Sequence, residues 1–114
     1  MAYPPVSIAN STSYNASGTV TYPSAFCSND NYSVTPGTVW TASGRGVCLL
    51  TEITATLNTP NGQITATPYT SSGTSYSQFA IINTGGNNYA VTRQVTGVED
   101  EPPEDYAEPK TKQK

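Results

Sequence analysis

The sequence predicts an all-β fold, a small antiparallel β-sandwich of about seven strands followed by an acidic tail. Three observations carry that expectation. Residue usage comes first: 18 Thr, 8 Val and 8 Tyr favour strands, while Leu, Met, Lys, Glu and Arg, the helix formers, are few. Second, short alternating segments recur between Gly, Asn and Pro turn signals at roughly 8–12-residue spacing, the signature of a sandwich or small barrel. Third, no segment repeats apolar residues at helical spacing over three turns.

The elements follow in order. Val6–Ile8 alternates, and Ser17–Tyr22 alternates again, with Gly18, Val20 and Tyr22 on one face. Pro36-Gly37 marks a turn before Thr38–Ala42, which carries Trp40. Ser43–Gly46 is another turn. Val47–Leu57 is the clearest strand: Val47, Leu49, Ile53, Ala55 and Leu57 share one parity, and Cys48, Leu50, Glu52, Thr54 and Thr56 the other. Asn61-Gly62 is a hairpin signal leading into Gln63–Tyr69, because both residues tolerate positive φ. Pro68 lacks a ladder donor and places that strand at an edge or an end. Thr70–Thr74 reads as a turn, Ser75–Ile82 as a strand with Phe79 and Ile81 together. Thr84–Asn88 turns, and Tyr89–Val95 closes the body.

Charge divides the chain in two. Residues 1–97 hold Asp30, Arg45, Glu52 and Arg93 only, a net of zero. Residues 98–114 hold six acids and three lysines, which supply the whole net charge of −3. That stretch has no alternation and too little apolar surface to order itself, so it reads as a flexible, Pro-containing acidic tail outside the domain. Val, Ile, Leu and Phe are sparse in the body, and its core is therefore expected to be thin.

Several function classes are excluded on composition. Two arginines in the body cannot neutralise a nucleic-acid backbone. The longest strongly apolar run, Val47–Leu50, is far short of the ~20 residues a membrane-spanning helix needs. Met1–Pro5 has neither the basic region nor the apolar stretch of an export signal. With no histidine there is no Ser–His or Cys–His pair and no His-containing zinc site, and no metal or other cofactor is expected. A two-carboxylate hydrolase would have to use Asp30 and Glu52, which read instead as a turn residue and a solvated strand residue. The chain is therefore expected not to be an enzyme.

What remains is contact. Cys27 and Cys48 are the only cysteines; they read as one disulfide, which implies an oxidising compartment, or alternatively as two reduced buried thiols. Three Asn-x-Ser/Thr triplets begin at Asn10, Asn15 and Asn31, a pattern that arises easily by chance in so Asn- and Ser-rich a chain. Aromatics beside amide-rich turns carry more weight. A sugar offers an apolar CH face to a ring and hydroxyls to amides and backbone. Asn29, Asp30, Asn31, Tyr32, Trp40, Asn87, Asn88 and Tyr89 are the candidates, taken as loop-tip residues. The expected function is lectin-like or adhesin-like, non-catalytic recognition of an uncharged polar ligand such as a glycan. The alternative is a structural, self-assembling subunit of a virion, tail fibre or surface filament, because a body with so few charges does little to block strand-edge pairing. Either reading expects a homo-oligomer at a cell or virion surface or outside the cell, with glycans or further copies of itself as partners.

Overall fold

The computed structural model describes residues 3–22, 27–44 and 48–94. Two sheets pack face to face around one core, and the strands number ten, with no helix among the described residues. The first sheet contains β1 (Ser7–Asn10), β4 (Val39–Thr41), β9 (Gln78–Gly85) and β10 (Asn88–Arg93), in the order β10-β9-β1-β4. The second contains β2 (Asn15–Thr21), β3 (Asp30–Val34), β5 (Leu50–Ile53), β6 (Thr56–Thr59), β7 (Gly62–Thr65) and β8 (Tyr69–Thr74). Within it, β3 pairs one edge of β2, and β6 and β5 pair the other edge in succession. Beyond them lie β7 on β6 and β8 on β5. The expected acidic tail, 98–114, lies outside the described residues.

Among the ten strands the pairing is antiparallel with one exception, and the isolated Thr67–Ala90 bridge is also parallel. β1 runs parallel to β9, Ser7 opposite Gln78 through Asn10 opposite Ile81. Local alternation shows that a segment is a strand but not the direction of its neighbour, and these two segments are brought together only by the fold.

The strand count exceeds seven for three local reasons. The expected strand Val47–Leu57 breaks at Thr54-Ala55 into β5 and β6. Leu50, and not Leu49, joins Ile53, Ala55 and Leu57 in the core. The register against β8 shifts between Leu50 and Glu52, where the two steps of β5 face the four steps of β8 from Thr70 to Thr74, so the extra residues lie in β8. The second reason is that bulge in β8. Thr70–Thr74, expected as a turn, belongs to β8; Gly73 adopts φ 135°, and its N–H donates to Ser71 Oγ at 2.9 Å. Third, Asp30 was expected in a turn but opens β3, where Asn31 Oδ1 accepts from Thr19 Oγ1 across the ladder at 2.9 Å. Asn propensity for turns yields there to cross-strand pairing.

Inward residues come from both sheets: Val6, Ile8, Phe79, Ile81, Tyr89 and Val91 from one, and Val20, Tyr22, Tyr32, Val34, Leu50, Ile53 and Leu57 from the other. One side of the sandwich is stitched shut. Between β7 and β8, Thr67 N–H donates to Tyr89 O at 2.8 Å, and Val91 N–H donates to Thr67 O at 2.9 Å. On the opposite side β4 and β3 are the outermost strands of their sheets.

Asn10 holds the β1–β2 corner. It is 1% exposed, and its Nδ2 donates to Tyr14 O at 2.8 Å and to Val34 O at 3.0 Å. Its Oδ1 accepts from Thr12 N at 2.9 Å and Thr12 Oγ1 at 2.7 Å. The triplet Asn10-Ser-Thr12 is therefore spent on structure. Asn10→Asp keeps the shape but turns a carboxylate toward two carbonyl oxygens. It is expected to lose on the order of 3 kcal/mol, read as a lower urea midpoint at unchanged slope.

Candidate functional site

The structure separates the eight residues that the sequence groups together. β3 runs antiparallel to β2, with Val20 opposite Asp30 and Ala16 opposite Val34. Asn29–Asn31 therefore lie at the end of the sandwich where β2 finishes. Asn87 and Asn88 lie at the β9–β10 hairpin, at the end where β1 finishes. The β1–β2 corner joins those two strands across this second end, so the two Asn clusters occupy opposite ends and cannot share a ligand.

The aromatics differ from expectation as well. Tyr32 and Tyr89 are not at loop tips: they are 4% and 7% exposed and point into the core from β3 and β10. Their alternation partners, Val34 and Val91, are buried with them, because an inward parity carries every second side chain inward. Trp40 is half-buried and packs against Tyr32 with ring centroids 5.3 Å apart, tilted by 36°. Tyr32 spans the sheet beneath it. Its hydroxyl donates to Thr54 O at 2.6 Å, and burial pushes its ionisation well above the usual 10.0. A ring used in this way cannot stack on a sugar.

At the first end the polar groups are also engaged. Tyr22 N–H donates to Asn29 Oδ1 at 3.1 Å, and Tyr22 Oη donates to Asp30 Oδ2 at 3.0 Å. Cys27 and Cys48 form a disulfide with Cα atoms 6.4 Å apart, joining the β2–β3 and β4–β5 connections. A shallow depression of about 310 Å3 lies against it, lined by Tyr22, Ser28, Asp30, Ser43 and Gly44 besides the cystine. Asp30 follows the inward parity of Val20, whereas Glu52 pairs with Thr21 on the outer face. The two carboxylates thus sit on opposite faces of one sheet and form no pair. Among the described residues no cluster of three metal-ligating side chains occurs, and no helix is long and apolar enough to cross a membrane.

A larger concavity lies elsewhere. A groove of about 750 Å3 opens where the N-terminal segment Tyr3–Pro5, the β8–β9 link Ser75–Ser77 and the outer face of β1 meet. Ser7 N–H donates to Ser77 O at 2.7 Å, and Ser77 Oγ donates to Pro4 O at 3.2 Å, which fixes the segment to the link. Pro4 and Pro5 hold that segment extended. Tyr76 is set by its own N–H, which donates to Thr74 Oγ1 at 3.0 Å, and by the Arg93 guanidinium 3.7 Å from its ring centroid. Ser7, Ala9, Val39, Gln78 and Gln94 also line the groove. None of the described residues lining it bears a formal charge. In the sequence Tyr76 is marked only as an aromatic beside a turn. The one signal for the remainder is Tyr3-Pro4-Pro5, an aromatic followed by two residues that favour extended backbone.

Comparison of the chain with family models, with curated proteins and with solved structures finds no match, so the geometry of the groove and of the strand edges carries the functional reading.

Proposed function

We propose that this protein is a non-catalytic recognition domain that binds an uncharged polar ligand, such as a glycan, in the groove between Tyr3–Pro5 and Ser75–Gln78. One observation carries the reading. The groove combines two tyrosines with amide and hydroxyl side chains, and none of the described residues that line it is charged. The Tyr3 ring answers the CH face of a sugar, and Gln78, Gln94 and Ser7 answer its hydroxyls. The disulfide is consistent with an oxidising setting, such as a cell surface or the extracellular space. Single-site affinity at an open groove of this kind is weak, and presentation in several copies raises it.

Glycan-array binding followed by calorimetry tests the proposal. Saturable binding is expected to fall at least about tenfold, about 1.4 kcal/mol, in Tyr3→Ala and Gln78→Ala at unchanged melting temperature. Asn87→Ala and Asn88→Ala, at the far hairpin, are expected to leave it unchanged. Binding lost in the hairpin variants and kept in the groove variants would move the site to the other end of the molecule.

A second reading, a self-assembling structural subunit, is favoured by a separate observation. β4 is an outermost strand free of charged residues, and its Val39 is 60% exposed.

A further inference from the structure

We infer that the outer edge of β4 pairs antiparallel with β4 of a second copy of this chain across a two-fold axis centred on Trp40. The two four-stranded sheets then join edge to edge. The inference rests on the second reading above, and its strand shares Val39 with the lining of the groove.

The backbone shows which groups are available. Asn10 N–H donates to Thr38 O at 2.9 Å, Trp40 lies opposite Ile8, and Ala42 N–H donates to Val6 O at 2.8 Å. In an antiparallel ladder, alternate residues turn their N–H and C=O to the same side. Thr38, Trp40 and Ala42 thus face β1, and Val39 and Thr41 direct two N–H and two C=O groups away from the sheet. Among the described residues none pairs with that edge. The other edge of the same sheet is treated differently: β10 is capped by Thr67 through two hydrogen bonds.

The occupant follows from the symmetry of the strand. A two-fold axis through Trp40 sets Val39 against Thr41 of the partner subunit, and Thr41 against Val39 of the partner subunit. Each such pair exchanges both backbone hydrogen bonds, four in all, with no offset. Trp40 meets Trp40 of the partner subunit at the closer, non-hydrogen-bonded position. The two apolar side chains this edge leaves in water, Val39 and the exposed part of Trp40, become covered together. Nothing in the strand opposes the approach, since Val39–Thr41 has no lysine, no acid and no proline. Its three-residue length makes the contact small, so a dimer in the micromolar-to-millimolar range is expected.

Sedimentation velocity over a concentration series, with fluorescence of the single tryptophan, tests the inference. A monomer–dimer equilibrium is expected, with Trp40 emission shifting to the blue as dimer forms. Thr41→Pro removes an outward N–H and leaves the β1 ladder intact, because proline is tolerated at an edge whose N–H faces water. It is expected to weaken the dimer at least tenfold, about 1.4 kcal/mol. Val39→Lys, which keeps the backbone, is expected to do the same, and so serves if the proline variant folds poorly. A protein that stays monomeric to millimolar concentration overturns both the edge and the self-assembly reading. An oligomer indifferent to both substitutions overturns the edge alone. A monomeric protein whose β4 is instead protected from hydrogen exchange by an added extended peptide identifies a different occupant and overturns the second copy.

Discussion

Gly18→Ala is expected to cost at least about 3 kcal/mol, near the top of the range for a single added methyl group. Gly18 lies in the middle of β2, opposite Tyr32 on β3, and on its other side β5 gives way to β6 at Thr54-Ala55. A Cβ at position 18 would fall on the Thr54 carbonyl oxygen, 2.7 Å from its carbon and 3.0 Å from the Tyr32 hydroxyl. The Thr54 carbonyl is held in turn. Tyr32 donates to it, and Thr54 N–H donates to Thr19 O at 3.0 Å on the adjoining residue of β2. Relief therefore requires backbone to move, in a domain whose total stability is of the order of 5–15 kcal/mol. The measurement is the urea midpoint beside Tyr32→Phe, which loses one hydrogen bond, on the order of 1 kcal/mol, and leaves the ring in place. Adding Tyr32→Phe to Gly18→Ala is expected to rescue little, since the obstruction is main chain. A near-neutral Gly18→Ala would mean that Thr54 does not approach β2 as closely as described.

Loss of the cystine is expected to have the second large effect. Cys27 and Cys48 are 21 residues apart, and in the chain-entropy account a loop of that length contributes about 3 kcal/mol by restricting the unfolded chain. For a domain of this size such a loss lowers the melting temperature by roughly 12–24 °C. The Cys27→Ala/Cys48→Ala pair and the reduced wild-type protein are expected to melt at the same lowered temperature. The untreated protein is expected to bind no iodoacetamide until reductant is added. The bond also ties together the two connections beside Asp30 and Tyr22. Amide exchange is therefore expected to rise first at that end and last around Asn10. Equal melting of oxidised and reduced protein would assign the cystine no part in stability.

The candidate site was less legible than the fold, and particular residues show why. Tyr32 and Tyr89 stand beside amide-rich stretches in sequence, which suggested loop tips. Both instead take the inward parity of Val34 and Val91. In a chain short of Leu and Phe, tyrosine supplies core volume, and each hydroxyl then needs a partner; Tyr32 finds Thr54. Tyr3 and Tyr76 are 73 residues apart and meet only because β1 is laid beside β9. No local pattern announces that meeting. The fate of Asn10 was equally hidden: its triplet matches a modification pattern that arises easily by chance, and its partners, Thr12, Tyr14 and Val34, come from the β1–β2 corner and from β3.

The amino-acid sequence alone determined that the body is built of strands, which residues of β2 and β9 face the core, and that the body is nearly free of charge. Each of these is set by alternation or composition, which act over a few neighbouring residues. Tertiary structure alone decided that β1 runs parallel to β9, that Leu50 replaces Leu49 inside, that the two Asn clusters lie at opposite ends, and that no strand among the described residues pairs with the outer edge of β4. Those outcomes depend on register and on which distant segment is paired with which. A one-residue slip reverses every face, so they belong to the whole set of pairings and to no single segment.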